Sequence, residues 1–196
     1  MKQFLRISCF LFILVALTSV TFAHKINYGL EAYNAGDYKK AYQIWLPEAV
    51  GGDALSQLYL GNMFAQGRGV AQDDKEAVRW YRLAAEQGDT KAQFNLGNMY
   101  AQGRGVAQDD KEAVRWYRLA AEQGDAEAQG NLGFMYVNGN GVMQNYVDGY
   151  AWWVVSATNG NETSRDNMER AQGKMSPAII EKGEKLAREI LERIRD

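Results

Sequence analysis

Cysteine, histidine and proline are nearly missing from this chain, which has one Cys, one His and two Pro in 196 residues. Each scarcity closes off a chemistry or a mode of construction. The single cysteine, Cys9, lies in an N-terminal segment read below as removable, so no disulfide can staple the remainder and stability must come from packing. The single histidine, His24, stands at the edge of that segment. With no thiol and no second imidazole, neither a Ser-His or Cys-His nucleophile pair nor a transition-metal site can be assembled. A Ser-x-x-Lys nucleophile is lacking too, because Ser56, Ser156, Ser164 and Ser176 are followed three residues on by Tyr59, Asn159, Asn167 and Ile179. Charge of one sign is not in excess. The 22 basic and 24 acidic residues give a formal charge of −2, which excludes the concentrated positive field that a nucleic-acid partner requires. No cofactor is expected, since the GRGV glycines at 67–70 and 103–106 lack the lysine and hydroxyl of a phosphate cradle and read as turns.

Long apolar runs are also scarce, and the one at Phe10–Leu17 is informative. Lys2 and Arg6 precede it, Thr18 and Ser19 follow it, and Thr21-Phe22-Ala23 offers small residues where a signal peptidase cuts. Residues 1–23 are therefore expected to be a cleaved secretory signal. The run is short of a membrane span, and Cys9 is badly placed for lipid attachment. The mature chain would begin at His24, carry no stable membrane span, and lie in the periplasm or outside the cell. Loss of Lys2 and Arg6 takes the formal charge to −4, and the remaining length of about 173 residues suffices for one domain with a sizeable core.

What the chain has in plenty is repetition. Residues 65–89 recur letter for letter as 101–125, a period of 36 residues, so the units are 54–89, 90–125 and a more divergent 126–161. Gly61, Gly97 and Gly133 fall in register, as do Trp80, Trp116 and Trp152. In the second unit Ala92, Leu96, Met99 and Tyr100 keep helical spacing, and so do Ala113, Trp116, Tyr117, Ala120 and Ala121. Each unit reads as a helical hairpin, with helix A over about 90–102, a turn at Gly103–Val106, and helix B over about 110–123 ended by Gly124. Asp109 with Glu112, and Asp73 with Glu76, make capping-box patterns, while Asp89 and Asp125 are placed to cap the next helix A. Capping also explains the Asp73-Asp74 and Asp109-Asp110 pairs, which lack the alternating ligands and closing glutamate of a calcium loop. Ala92, Gly97, Ala113 and Ala120 permit close helix approach. A hairpin of this size cannot bury its own apolar face, so the copies must stack. The fold class is all-α, an α/α solenoid.

The ends vary the theme. Residues 24–53 form a partial repeat, with Gly36-Asp37 as its turn and Pro47 interrupting its second helix. Residues 162–196 supply C-terminal capping helices over about 162–173 and 177–194, the second opened by Ser176-Pro177. Where the second repeat has Arg115 and Arg118 on helix B the third has Ala151 and Val154, so this face should be covered by the C-terminal extension.

The pattern Ala-x-x-x-Leu-Gly-x-Met-Tyr, Gly-x-Gly-Val-x-Gln-Asp, Ala-x-x-Trp-Tyr-x-x-Ala-Ala-x-x-Gly-Asp over residues 92–125 resembles the Sel-one-like repeat, a relative of the tetratricopeptide repeat. Three full repeats, the partial one and the tail Lys174-Met175-Ser176-Pro177 share the likeness. The resemblance implies an adaptor or scaffold binding a protein or peptide. It departs from the cysteine-rich branch of the family, whose penicillin-binding activity it puts in doubt; a cell-wall hydrolase or β-lactamase-like enzyme is the alternative.

Candidate binding residues come from stacking the helix A positions, which in such a solenoid line the concave side. Tyr59, Asn95 and Asn131 form one row, Asn62, Asn98 and Phe134 a second, and Gln66, Gln102 and Asn138 a third. Rows of carboxamides offer donors and acceptors to an extended peptide. The expectation is that Asn62, Asn98 and Gln102 have carboxamides free for a partner. On helix B, Arg79, Arg82, Arg115 and Arg118 sit near Glu76 and Glu112 and read as a solvated, partly paired face. The tryptophans and tyrosines read as core, and Trp153 stands where Tyr81 and Tyr117 stand in the earlier repeats.

Overall fold

The structure, a computed structural model, describes residues 25–195. Residues 1–23 and His24, with the expected signal and its cleavage site, lie outside the described residues. Among the described residues the elements are all helical. A helix over 25–34 (α1) is followed by α2 Tyr38–Val50, α3 Ala54–Gln66, α4 Asp74–Glu86, α5 Thr90–Gln102, α6 Asp110–Glu122, α7 Ala126–Asn138, α8 Tyr146–Thr158, α9 Glu162–Gln172 and α10 Pro177–Arg195. The three repeats are the hairpins α3–α4, α5–α6 and α7–α8, each packed on the next through α4 against α5 and α6 against α7. The chain is a solenoid, as expected.

Capping fixes the helix starts. Asp89 and Asp125 accept from the amides of Ala92 (2.7 Å) and Ala128 (2.9 Å) at helix A, and Asp109 accepts from Lys111 and Glu112 at helix B. The capping boxes are only half formed. The Asp109 amide donates to the Tyr100 carbonyl, and the Asp73 amide to that of Phe64, so the glutamates at the third position have no reciprocal duty. Glu76 and Glu112 pair instead with Arg79 and Arg115 at 3.0 Å. Pro47 does not interrupt its helix as expected: α2 runs unbroken to Val50. The ring removes one amide near the end of α2, while Ala41, Trp45 and Ala49 bury the opposite face and hold the helix together.

The core runs along the stack without a break at the repeat boundaries. Trp116 of α6 is 4% exposed and packs with Leu58, Ala77 and Leu96, residues of the preceding repeat and of its own helix A. Trp80 does the same against Ala41 and Trp45 of the partial repeat, and Trp152 against Ala113 and Ala120. Each tryptophan is thus a wedge between neighbouring units. Inside a hairpin the small residues work as expected: a Cβ on Gly97 would lie 2.7 Å from the Tyr117 ring, and one on Gly61 would lie 2.5 Å from that of Tyr81. The ring crosses helix A where only glycine leaves room.

The GRGV segments, and the corresponding Gly-Asn-Gly-Val of the third repeat, do more than turn. Gly67, Gly103 and Gly139 close helix A in the left-handed conformation at φ 67°, 66° and 74°. The second glycine, Gly105, at φ +69°, presses its backbone onto the Asp74 carbonyl of the repeat before, and Gly141 does so on Asp110. Arg104, between the two glycines, makes a bidentate pair with Asp74 at 2.6 and 3.2 Å. Each loop is therefore a clasp on the preceding repeat. At the far end α10 covers α8, with Ala151, Val155, Ala187 and Ile190 all buried together, so the arginine-to-apolar change on helix B is indeed a covered face.

Candidate interaction site

The three helix A rows have distinct fates. Asn62 is half-buried and its Oδ1 accepts from the Tyr81 hydroxyl at 2.8 Å and from Asn95 Nδ2 at 3.2 Å. One repeat on, Asn98 Oδ1 accepts from Tyr117 at 2.7 Å and from Asn131 at 3.4 Å. The expectation that Asn62 and Asn98 are free is therefore overturned. Their carboxamides join helix A to helix B within a repeat and to helix A of the next, because the buried tyrosine ring ends in a hydroxyl that needs an acceptor there. Asn95 and Asn131 are the donors of the same thread. Tyr59 is half-buried and stacked on Trp45 at 4.4 Å between centroids.

The third row is open. Gln66 and Gln102 are exposed; Asn138 is exposed too, but its Nδ2 donates to the Phe134 carbonyl at 2.8 Å. Phe134 is the exception in the second row, at 50% exposure. It stands where Asn62 and Asn98 stand, and the partner position changes with it: Trp153 replaces the tyrosine and lies against Gly133, a Cβ there falling 2.6 Å from the indole. The Trp153 indole has no hydroxyl to bond an asparagine and its buried Nε1–H has no hydrogen-bond partner, so the tyrosine–asparagine bond of the earlier repeats is lost and an apolar ring stands where the asparagine stood. Phe94, Asn131 and Phe134 line one shallow groove of about 340 Å³ with the start of α9.

Burial shows in the tyrosine acidities. Loss of water around the phenol pushes Tyr117 up to about 12 and raises Tyr81 further, with Arg104 opposing the shift at Tyr81. Both hydroxyls are fixed donors at physiological pH.

A second carboxamide series escaped the sequence reading. Gln57, Gln93 and Gln129 are buried, and each donates to a carbonyl at the end of the preceding helix B: Ala49 at 3.0 Å, Ala85 at 3.2 Å and Ala121 at 3.0 Å. Each also accepts from a carboxamide 30 residues later, Gln87, Gln123 and Asn159. The signal was available, since the glutamine keeps its register even in the divergent third unit. The helix B arginines also differ from a simple solvated face. Arg79 and Arg115 lie over the Trp80 and Trp116 rings at 4.0 and 3.9 Å, while Arg82 and Arg118 donate to the hydroxyls of Tyr100 and Tyr136. Among the described residues no cluster of His, Cys, Asp or Glu could hold a metal ion, and no helix is long and apolar enough to cross a membrane.

The clasped hairpins of 36 residues coincide with a known family: residues 54–89, 90–125 and 126–161 each match the Sel1 repeat model. The chain belongs to the Sel1 repeat family. It is similar to the crystal structure of a Sel1 repeat protein from Oxalobacter formigenes, with 35% identity, a TM-score of 0.70, and coverage of 73% of this chain and 59% of that one. It is also similar to c5321, a protective antigen present in uropathogenic Escherichia coli strains that displays an SLR fold, at 31% identity and a TM-score of 0.61, covering 79% of this chain and 41% of that chain. The chain thus spans less than two thirds of the length of either relative. Helicobacter pylori cysteine rich protein B shares the fold at 21% identity and a TM-score of 0.54, over 66% of this chain and 93% of that one. Comparison with curated proteins gives no match.

Proposed function

We propose that this Sel1 repeat protein is an exported interaction scaffold that holds a protein or peptide partner on its helix A face, the side expected to be concave. The observation that carries the reading is Phe134. A phenyl ring half open to water, beside Phe94 and Asn131 in a groove and one row from the exposed positions Gln66 and Gln102, is an anchor of the kind that interfaces use, an aromatic with polar groups near it able to bond a backbone. Asn62 and Asn98 leave the binding set because their acceptors are already engaged. The amended set is Gln66, Gln102, Phe134 and Asn138. Export rests on the segment 1–23, and the partner's identity on experiment. Nothing in the comparisons favours the hydrolase or β-lactamase-like alternative, and Sel1 repeat scaffolds are typically without catalytic activity.

The test is site-specific photocrosslinking in cells, with a benzophenone amino acid at Phe134, at Gln102 and, as controls, at Arg79 and Arg115 on helix B. Discrete crosslinked species from Phe134 and Gln102 are expected. Adducts confined to Arg79 and Arg115 would place recognition on helix B and sink the proposal. Turnover of nitrocefin or peptidoglycan by the purified protein would revive the enzyme alternative.

A further inference from the structure

A separate cavity of about 530 Å³ lies at the C-terminal end, between the third repeat and the helices that cap it. Its apolar floor includes Val137, Trp153, Met175 and Ile179, and Arg170 from the last turn of α9 and Lys174 from the turn that follows it stand at its wall. The register explains why it is there. Val137 and Tyr146, also in the lining, occupy the positions of Ala65 and Asp74 in the first repeat. On that earlier surface the next repeat's loop docks: Arg104 pairs with the Asp74 carboxylate and reaches the Ala65 carbonyl at 3.5 Å. No further Gly-x-Gly-Val loop follows the third repeat among the described residues, so its docking surface is left to α9 and the turn after it, which bring cations as Arg104 does. The acid has gone. Where Asp74 answers Arg104, the third repeat has Tyr146, whose hydroxyl accepts from Gln144 at 3.0 Å. Arg170 and Lys174 have no carboxylate partner among the described residues, although Arg165 on the same helix pairs with Glu162. The changes that separate the third repeat from its near-identical neighbours thus converge on one cavity with an apolar floor and two unanswered positive charges.

We infer that this cavity is a small-ligand site for a monocarboxylate with an apolar body, of the class of medium-chain or aromatic acids. The apolar part lies on Trp153, Met175 and Ile179, and the carboxylate supplies to Arg170 and Lys174 the negative charge that Asp74 supplies to Arg104. The volume falls within the range of roughly 300–1,000 Å³ typical of small-molecule pockets. The site adjoins the Phe134 groove, sharing Asn167 in its lining, but has its own floor and cations, and its test does not depend on the reading of that groove.

The experiment is isothermal titration of the mature protein with decanoate, with decanol as its neutral counterpart and with a hexapeptide ending in a leucine carboxylate. Saturable decanoate binding at about one site per chain is expected, with decanol weaker by about tenfold or more, since a pair of charge-assisted bonds is lost. In R170Q/K174Q, both exposed positions, decanoate should weaken to the decanol level while decanol is unchanged; Met175→Trp, which narrows the floor, should weaken both. Circular dichroism establishes that each variant is folded. Equal affinity for decanoate and decanol, unchanged decanoate affinity in R170Q/K174Q, or no saturable binding up to about 1 mM would overturn the inference. Binding confined to the peptide, with decanoate silent, overturns the assignment to a small ligand.

Discussion

Replacing Asn98 by alanine separates a structural from a binding role on the helix A face. The side chain holds two acceptor contacts, the Tyr117 hydroxyl at 2.7 Å and Asn131 Nδ2 at 3.4 Å. The first is strong and the second near the limit of a hydrogen bond. Removing the acceptor costs about 0.5–1.5 kcal/mol for the good bond. The penalty grows because Tyr117 is 3% exposed and its hydroxyl has little water to turn to; a stranded buried donor costs about 1–3 kcal/mol. Loss of about 2–3 kcal/mol is therefore expected for Asn98→Ala, and the same for Asn62→Ala, whose Tyr81 is 4% exposed. Gln102→Ala, at an exposed position, should stay within about 0.5 kcal/mol of the parent. The assay is urea denaturation followed by tryptophan fluorescence, with the midpoint falling at constant slope for the asparagine variants. The double variant Asn98→Ala with Tyr117→Phe supplies the control, since deleting both partners leaves no stranded donor and should recover part of the loss. If Asn98→Ala is as stable as Gln102→Ala, the hydroxyl is finding water, and Asn98 returns to the list of groups free to bind a partner.

Trp116→Ala removes a wedge that is 4% exposed and should cost about 3–5 kcal/mol, as seen in thermal melts by circular dichroism; an unchanged melt would mean the ring is not between repeats. Gly105→Ala strains a φ of +69° and drives a methyl into the Asp74 carbonyl, so a loss of about 3 kcal/mol or more is expected in denaturant titration, against a small effect for Gly173→Ala, whose φ of −78° suits any residue and whose added methyl meets only the Arg170 carbonyl at 3.8 Å. Because burial raises the Tyr117 phenol from 10.0 to about 12, the folded state keeps a proton that the unfolded chain has lost; its contribution is intact below pH 10 and disappears as pH climbs to 12. Stability measured across that window should fall with pH, and less steeply in Tyr117→Phe. N-terminal sequencing of the protein recovered from cells should begin at His24, and residues 1–23 still attached would refute cleavage.

How much of this was legible beforehand depended on whether a feature was repeated or compensated. Helix bounds, the close glycines and the tryptophan wedges were readable because each recurs at a fixed offset and answers a local steric or capping need. The fate of Asn62 and Asn98 was not, because an exposed-looking carboxamide and a buried tyrosine hydroxyl meet 19 residues apart and only packing brings them within 2.8 and 2.7 Å. The same holds for Gln57, Gln93 and Gln129, polar letters on an apolar face that the hydrophobic pattern passes over. Pro47 misled in the other direction: intrinsic propensity argues for a break, and burial of Trp45 at 0% exposure overrides it.

The third repeat shows how a duplicated array acquires a distinctive surface. Its changes come in matched sets: Trp153 for tyrosine releases the asparagine, Phe134 takes that place, and Gly149 for alanine makes room for Val137 where the other repeats have alanine. Packing is satisfied at each step, since a Cβ on Gly149 would run into the Val137 methyl. Two features at this end of the array, one in the repeat and one in the cap beside it, are not needed for packing. Phe134 faces water beside α9, and Arg170 and Lys174 stand without an acid over an apolar floor. If the third repeat had changed only to receive its cap, restoring Asn and Tyr at 134 and 153 together should leave partner crosslinking from Gln102 intact. If the groove recognises a partner through the phenyl ring, the same double variant should lose it while remaining folded.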